Sequence, residues 1–259
     1  MKLIFIRHGD PDYINDTLTE KGRQEAEILA GDIERFGIDV AYVSPLGRAA
    51  ATAKYSLDKL GLSGTTLDWL QEFPALVDPN ASEEVCKAYR TELKTGADGR
   101  YEKRIVWDVL PSYYGSHPEL FDYNLWKESE LVKNSNTAEQ YDHVVSSFNG
   151  LLSEYGYEKN GGAFTVKGGS DKTVAFFCHF GITSVLISSL WNISPFVILQ
   201  FLAMAPTSVT VLATEEREKG IAIFRGLQIG DISHLNAASV EPSFSARFCE
   251  RFENTDERH

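Results

Sequence analysis

Apolar positions along the chain fall into two alternating patterns. Lys2 to Arg7 is a short β-branched and aromatic run bounded by Gly9 and Pro11, which predicts a strand. From Thr19 to Phe36, residues Ala26, Leu29, Ala30, Ile33 and Phe36 recur on one helical face. Thr19 has the chemistry of an N-cap and Gly37 that of a stop. Asp39 to Val43 predicts a second strand. Ser44-Pro45 then reads as an N-cap followed by proline at the first helical position, opening a helix to about Leu60 that stops at Gly61. Thr65 to Leu70 is a third strand. Thr173 to Cys178 is a continuous apolar run of the kind buried on both faces. Ile182–Trp191 and Pro195–Leu202 follow as helices, and Ser208–Ala213 and Gly220–Gly226 as a strand pair. Strands alternating with helices predict an α/β fold: three layers, a mostly parallel central sheet and helices on both faces.

Between Phe73 and Lys172 lie 100 residues that the alternation does not need, since a crossover takes about a dozen. Helices are expected at Ser82–Lys94 and Ala138–Tyr155, flanking Tyr101, Trp107, Tyr113, Tyr114, Phe121, Tyr123 and Trp126. This segment reads as an α-rich aromatic insertion, about 73–172, capping one domain of 1–259, with a polar tail over about 239–259. Its aromatics suit a small core of its own better than a substrate platform.

Composition narrows the possibilities. With 259 residues, 25 Lys plus Arg and 37 Asp plus Glu, the net charge is −12. Duplex binding draws on basic residues, so nucleic acid is not an expected partner. Residues 173–214 contain no Asp, Glu, Lys or Arg, but Pro195, Pro206 and scattered Ser, Thr, Asn and Gln break the run. It reads as the buried centre of the fold rather than a membrane span. Three cysteines at wide spacing suit a reduced cytoplasm, and no Cys or His spacing indicates zinc.

The strand ends carry the chemistry. The first ends in Arg7-His8-Gly9, the second in Ser44-Pro45-Leu46-Gly47-Arg48, and the long apolar strand in Cys178-His179-Phe180-Gly181. Ligands of open α/β sheets bind outside the carboxyl ends of the strands. Arg7, His8, Arg48 and His179 should therefore converge on one edge as an anion site, with Arg forks suited to phosphate and a helix N-terminus beside them. Gly9 is expected to let the backbone approach the ligand. Two histidines at one edge also suit a metal, but these motifs lack the carboxylate or thiolate companions. Covalent catalysis by a neutral imidazole is the sharper reading.

Arg7-His8-Gly9-Asp10-Pro11 with Leu18-Thr19-Glu20-Lys21-Gly22, then Ser44-Pro45-Leu46-Gly47-Arg48-Ala49, then Cys178-His179-Phe180-Gly181, resemble the motifs of the histidine phosphatase superfamily, nearest its phosphoglycerate mutase-like branch. The resemblance covers about 1–72 and 173–235. It implies that His8 is a nucleophile forming phosphohistidine, and that Glu72 is the general acid. It also implies that Arg7, Arg48, His179, Asn15 and Phe180 lie at the phosphoryl group. Neither metal nor cofactor is implied. Asp10, Pro11 and Phe180 depart from the family's usual residues, and His234 reads as peripheral.

By this resemblance the expected activity is hydrolysis of a small phosphomonoester. The alternatives are a phosphoglycerate-type mutase and a non-catalytic phospho-ligand module. A mutase must hold a bisphosphorylated intermediate, and Phe73 to Asp142 carries 8 basic against 13 acidic residues. That balance favours hydrolysis.

Overall fold

The structure is a computed structural model that describes residues 1–90, 93–244, 251 and 253. Its longer elements are β1 (Lys2–Arg7), α1 (Glu20–Asp32), β2 (Val40–Val43), α2 (Gly47–Leu60), β3 (Gly64–Thr66), α3 (Thr137–Glu154), β4 (Tyr157–Asn160), β5 (Ala163–Val166), β6 (Thr173–Cys178), α4 (Phe180–Trp191), α5 (Pro195–Phe201), β7 (Val209–Glu218) and β8 (Ile221–Asp231).

Local chemistry explains the helix ends. The Thr19 side chain accepts the Gly22 N–H and caps α1. A short 3-10 turn, Ile33–Phe36, carries the expected helix on to Gly37, which is left-handed at φ 60°. Gly61 stops α2 in the same way at φ 65°. Ser82 caps a shorter helix than expected, Glu83–Lys87; Thr91 and Glu92 of the expected Ser82–Lys94 helix lie outside the described residues. The expected third strand also shortens to Gly64–Thr66, with a 3-10 turn at Asp68–Leu70.

Eight strands form one sheet in the order β3-β2-β6-β1-β7-β8-β5-β4. The half that carries the sequence motifs is parallel: β3 with β2, β2 with β6, and β6 with β1. From β7 onward every pairing is antiparallel. The fold is α/β, as the alternation predicts. Leu29, Ile33, Ala53 and Leu57 of the α1–α2 side pack on Ile4, Ile6, Ala41, Val43, Ala175 and Phe177. On the other face Phe5 stacks on Phe176 at 5.2 Å and Tyr42 on Phe176 at 5.5 Å, and the Tyr42 hydroxyl meets that of Tyr155 at 3.0 Å.

The described residues divide into two compact units. One comprises Met1–Glu72, Gly150–Thr183 and Ala203–His259; the other Phe73–Asn149 and Ser184–Leu202. The division differs from the expected insertion, 73–172, at its end. Residues 157–166 form a hairpin, β4–β5, that extends the main sheet by pairing Thr165 with Ile221 and Phe164 with Ala222. The second unit has an aromatic core: Trp126 meets Tyr141 at 4.9 Å and Phe196 at 6.0 Å, and Tyr114 stacks on Phe121 at 5.3 Å. Of the expected loose tail over 239–259, residues 245–250, 252 and 254–259 lie outside the described residues; Ser243 is buried, its N–H donating to Glu25 at 2.7 Å. Among the described residues no helix is long and apolar enough to cross a membrane. The uncharged stretch from Thr173 to Thr214 supplies β6, α4, α5 and the start of β7.

Candidate active site

The site is built by register. β1 and β6 run parallel with Arg7 opposite Cys178, so the next residues, His8 and His179, leave the sheet side by side. The ladder continues one step past the strands: His8 N–H donates to Cys178 O at 3.1 Å and Ser44 N–H to Phe177 O at 2.9 Å. These two bonds bring the ends of β1, β6 and β2 to one edge. The His8 and His179 rings lie 5.0 Å apart, inclined at 60°. Arg48 follows from the first turn of α2.

Both imidazoles are almost wholly enclosed, His8 at 2% exposure and His179 at 0%. Burial holds the His8 pKa well below its ordinary 6.5, and the charges of Arg7 and Arg48 push it the same way. Burial likewise depresses His179, followed by His8, Arg48 and Arg7. Both rings are therefore neutral near pH 7. The Gly9 carbonyl lies 2.7 Å from His8 Nδ1 and can only accept, so Nδ1 carries the proton. The lone pair is then on Nε2. His179 Nε2 meets the Ser44 hydroxyl at 2.7 Å, while its buried Nδ1 has no protein partner.

The cations are anchored. Arg7 Nη1 donates to Met204 O at 2.5 Å. Burial lowers the Arg7 pKa, opposed first by the nearby Glu72 carboxylate. Arg48 Nη1 donates to Asp16 Oδ1 at 2.7 Å, its guanidinium carbon lies 5.4 Å from the Tyr13 ring centroid, and its buried Nε has no protein partner. Glu72 accepts the Ile182 N–H at 3.2 Å, which holds its carboxylate against the first turn of α4.

Of the residues expected at the phosphoryl group, Arg7, His8, Arg48, His179 and Glu72 belong to this set. Phe180 is buried as the first residue of α4; its ring has no polar atom, so it offers only a main-chain N–H. Asn15 lies between Tyr13 and Asp16, which both meet Arg48, but it is exposed and its amide donates to Asp12 at 2.7 Å; the Asp12 carboxylate also holds the Ile14 and Asn15 N–H groups. His234 is peripheral: its Nε2 meets Thr207 Oγ1 at 3.1 Å, and burial lowers its pKa to about 4. Thr207 in turn donates its N–H to the Arg7 and His8 carbonyls at 3.1 and 3.2 Å.

Some neighbours differ from their expected roles. Ser44 does not cap α2; Leu46 occupies that position, and the hydroxyl turns to His179. Gly9 is required by close packing on α1, since a Cβ there would lie 2.5 Å from the Gly22 carbonyl oxygen. Thr52 was readable as the residue one turn after Arg48 on the same helical face. It accepts the Gly9 N–H at 2.9 Å and donates to Arg48 O at 2.9 Å, so one hydroxyl ties the first two motifs together. Among the described residues there is no group of three or more His, Cys, Asp or Glu side chains arranged to hold a metal ion.

The motifs and this geometry agree with a sequence comparison. The profile of the histidine phosphatase superfamily (branch 1) matches residues 3–107. The chain is thus similar to the histidine phosphatase superfamily over its first 107 residues. A relative, phosphoserine phosphatase 1 of Hydrogenobacter thermophilus, is 34% identical over 62 residues, covering 20% of this chain and 29% of that protein. The chain thus matches under a third of that relative's length. Among solved structures, a phosphoserine phosphatase mutant from Entamoeba histolytica in complex with phosphoserine superposes at TM-score 0.57 and 17% identity, over 90% of this chain and 98% of that one. A mycobacterial glucosyl-3-phosphoglycerate phosphatase in complex with VO3 superposes at TM-score 0.50 and 17% identity, over 88% and 98%. At such identities these likenesses speak for the histidine phosphatase fold alone.

Proposed function

We propose that this chain is a member of the histidine phosphatase superfamily and hydrolyses a small phosphomonoester through a phosphohistidine on His8. One observation carries the reading. The His8 ring is neutral, its Nδ1 proton is committed to the Gly9 carbonyl, and its Nε2 lone pair is left among Arg7, Arg48 and His179. Phosphoryl transfer asks mainly for positioning and for charge stabilisation, and this set offers both.

In the first step His8 Nε2 forms a bond to phosphorus while the bond to the ester oxygen breaks. Glu72 supplies the proton to the departing oxygen. Arg7 and Arg48 take the phosphoryl oxygens, with the His179 Nδ1–H and the Phe180 N–H as neutral donors. In the second step water attacks phosphorus, Glu72 accepts its proton, and the P–N bond breaks, returning both electrons to Nε2. Asn15 has no place in this scheme while its amide is held by Asp12. The relatives' names, phosphoserine phosphatase and glucosyl-3-phosphoglycerate phosphatase, support a small phosphorylated metabolite. The cysteine usage supports a cytoplasmic location.

The test is phosphate release from a panel of sugar, nucleotide, amino-acid and phosphoprotein esters, with acid-labile phosphate captured on the protein. Wild type should turn over at least one small ester and label. His8→Ala should lose both. A protein that interconverts 3- and 2-phosphoglycerate without releasing phosphate would instead be a mutase, and one that binds phosphate without labelling would be a binding module.

A further inference from the structure

The geometry points to Asp16 as the positioning residue for Arg48, holding its guanidinium so that the Nε edge faces the phosphoryl group. The inference rests on the phosphate-binding role proposed for Arg48 above.

Both oxygens of this carboxylate are spent on the second motif. Oδ1 accepts Arg48 Nη1 at 2.7 Å and Oδ2 accepts the Gly47 N–H at 2.6 Å. The loop's backbone presses on the same point, since a Cβ on Gly47 would lie 2.1 Å from the Asp16 carbonyl oxygen. Glycine in Ser44-Pro45-Leu46-Gly47-Arg48 thus makes room for Asp16. Asp16 itself is left-handed at φ 45°, a conformation that Asp and Asn tolerate better than other side chains. The hairpin Pro11–Asp12 with Thr17–Leu18 carries the loop to this position.

A guanidinium is planar and rigid, so fixing one end orients the rest. With Nη1 held by Asp16, the Nε–H of Arg48 is buried and has no protein partner, as a donor awaiting a ligand would be. The guanidinium carbon lies over the Tyr13 ring, 5.4 Å from its centroid. The carboxylate has two opposite effects on an incoming phosphate. Its charge opposes the dianion, while its hydrogen bonds hold the fork in the orientation that the transition state requires. Ground-state binding feels mainly the first and turnover mainly the second.

Asp16→Asn separates them. Asn keeps the size and tolerates the left-handed backbone. Its single amide oxygen can accept from either Gly47 or Arg48, and its NH2 then faces the other donor. Misplacement by about 1 Å costs on the order of 100-fold in rate. The expected result is a kcat lower by about 10- to 100-fold on the ester that wild type turns over best, with inorganic phosphate inhibiting as well as in wild type or better and an unchanged melting temperature. Asp16→Ala, which removes both bonds and the charge, should show the same split. Wild-type turnover, lost together with phosphate binding in Arg48→Ala, establishes the underlying reading. An Asp16→Asn protein with wild-type kcat would then overturn the positioning role alone. So would a parallel loss of kcat and phosphate binding. An inactive wild type overturns both.

Discussion

Helix α1 contains two glycines that should respond oppositely to the same substitution. Gly→Ala in a helix interior gains about 1 kcal/mol from propensity alone. At Gly31 nothing lies within 4 Å of an added Cβ, and the position is exposed, so Gly31→Ala should keep that gain. At Gly22 a Cβ would lie 2.2 Å from the Asp10 carbonyl oxygen, 2.7 Å from its nitrogen and 3.0 Å from its carbonyl carbon. Van der Waals contact needs roughly 1 Å more, and the obstacle is backbone rather than a flexible side chain. Asp10 is held on both sides: its carbonyl accepts the Thr19 N–H at 3.0 Å and its N–H donates to Glu25 at 2.9 Å. Moving it costs about 1–3 kcal/mol in overpacking and about 1–3 kcal/mol for a buried donor left unmatched. Set against the propensity gain of about 1 kcal/mol, Gly22→Ala should lose about 3 kcal/mol. At roughly 2–4 °C per kcal/mol for chains near this size, Tm should fall by about 6–12 °C, while Gly31→Ala should rise by about 2–4 °C. Calorimetric scans of both variants and wild type in one buffer measure this. Gly22→Ala should also turn over more slowly, because Asp10 is two residues from His8. Two variants rising together would show that propensity outweighs packing here and would refute the close-contact argument.

Acid should weaken the fold through the two neutral imidazoles. The unfolded chain takes up a proton at each histidine near 6.5, whereas His8 and His179 are held well below that by burial. Their contribution is therefore present above about 6.5 and falls as pH drops below it, by roughly 1.4 kcal/mol per pH unit per group. Urea unfolding from pH 7 to 5 should slope less in His8→Asn and His179→Gln than in wild type, and equal slopes would count against the burial argument. Glu25 has the opposite sign. Burial raises its pKa although the N–H groups of Asp10 and Ser243 oppose the shift, so its contribution is fully present below its unfolded pKa near 4.5 and declines as pH rises through the folded value. Glu25→Gln, which can match only one of the two N–H groups, should be less stable by about 1–3 kcal/mol. Its deficit against wild type should shrink with rising pH; a deficit that grows would contradict the sign.

The parallel half of the fold was legible because its signals are local. The Lys2–Arg7 and Thr173–Cys178 runs, the Thr19 cap and the stops at Gly37 and Gly61 depend on neighbours a few residues away. Once those strands are parallel, the residues after them share an edge, which places Arg7, His8, Arg48 and His179 together. The β4–β5 hairpin also had a local signal in its two-residue turn, Gly161-Gly162, between two short strand-forming runs. Joining the main sheet, however, required a partner about 60 residues further on, so the boundary at Asn149, in place of the expected 172, did not follow from the pattern.

Tertiary structure alone decided which polar group each side chain meets. Ser44 meets His179 across 135 positions, Arg48 meets Asp16 across 32, and Glu25 meets Ser243 across 218. A hydroxyl or carboxylate has no preference among distant donors until folding brings one within about 3 Å. Ser44 therefore reads in sequence as a helix cap and serves in the fold as a partner of His179. The sequence by itself determined which residue types reach the sheet edge. Only the packed chain determined which nitrogen of each histidine is left available and which end of Arg48 is held, because those depend on the distance and direction of groups far apart along the chain.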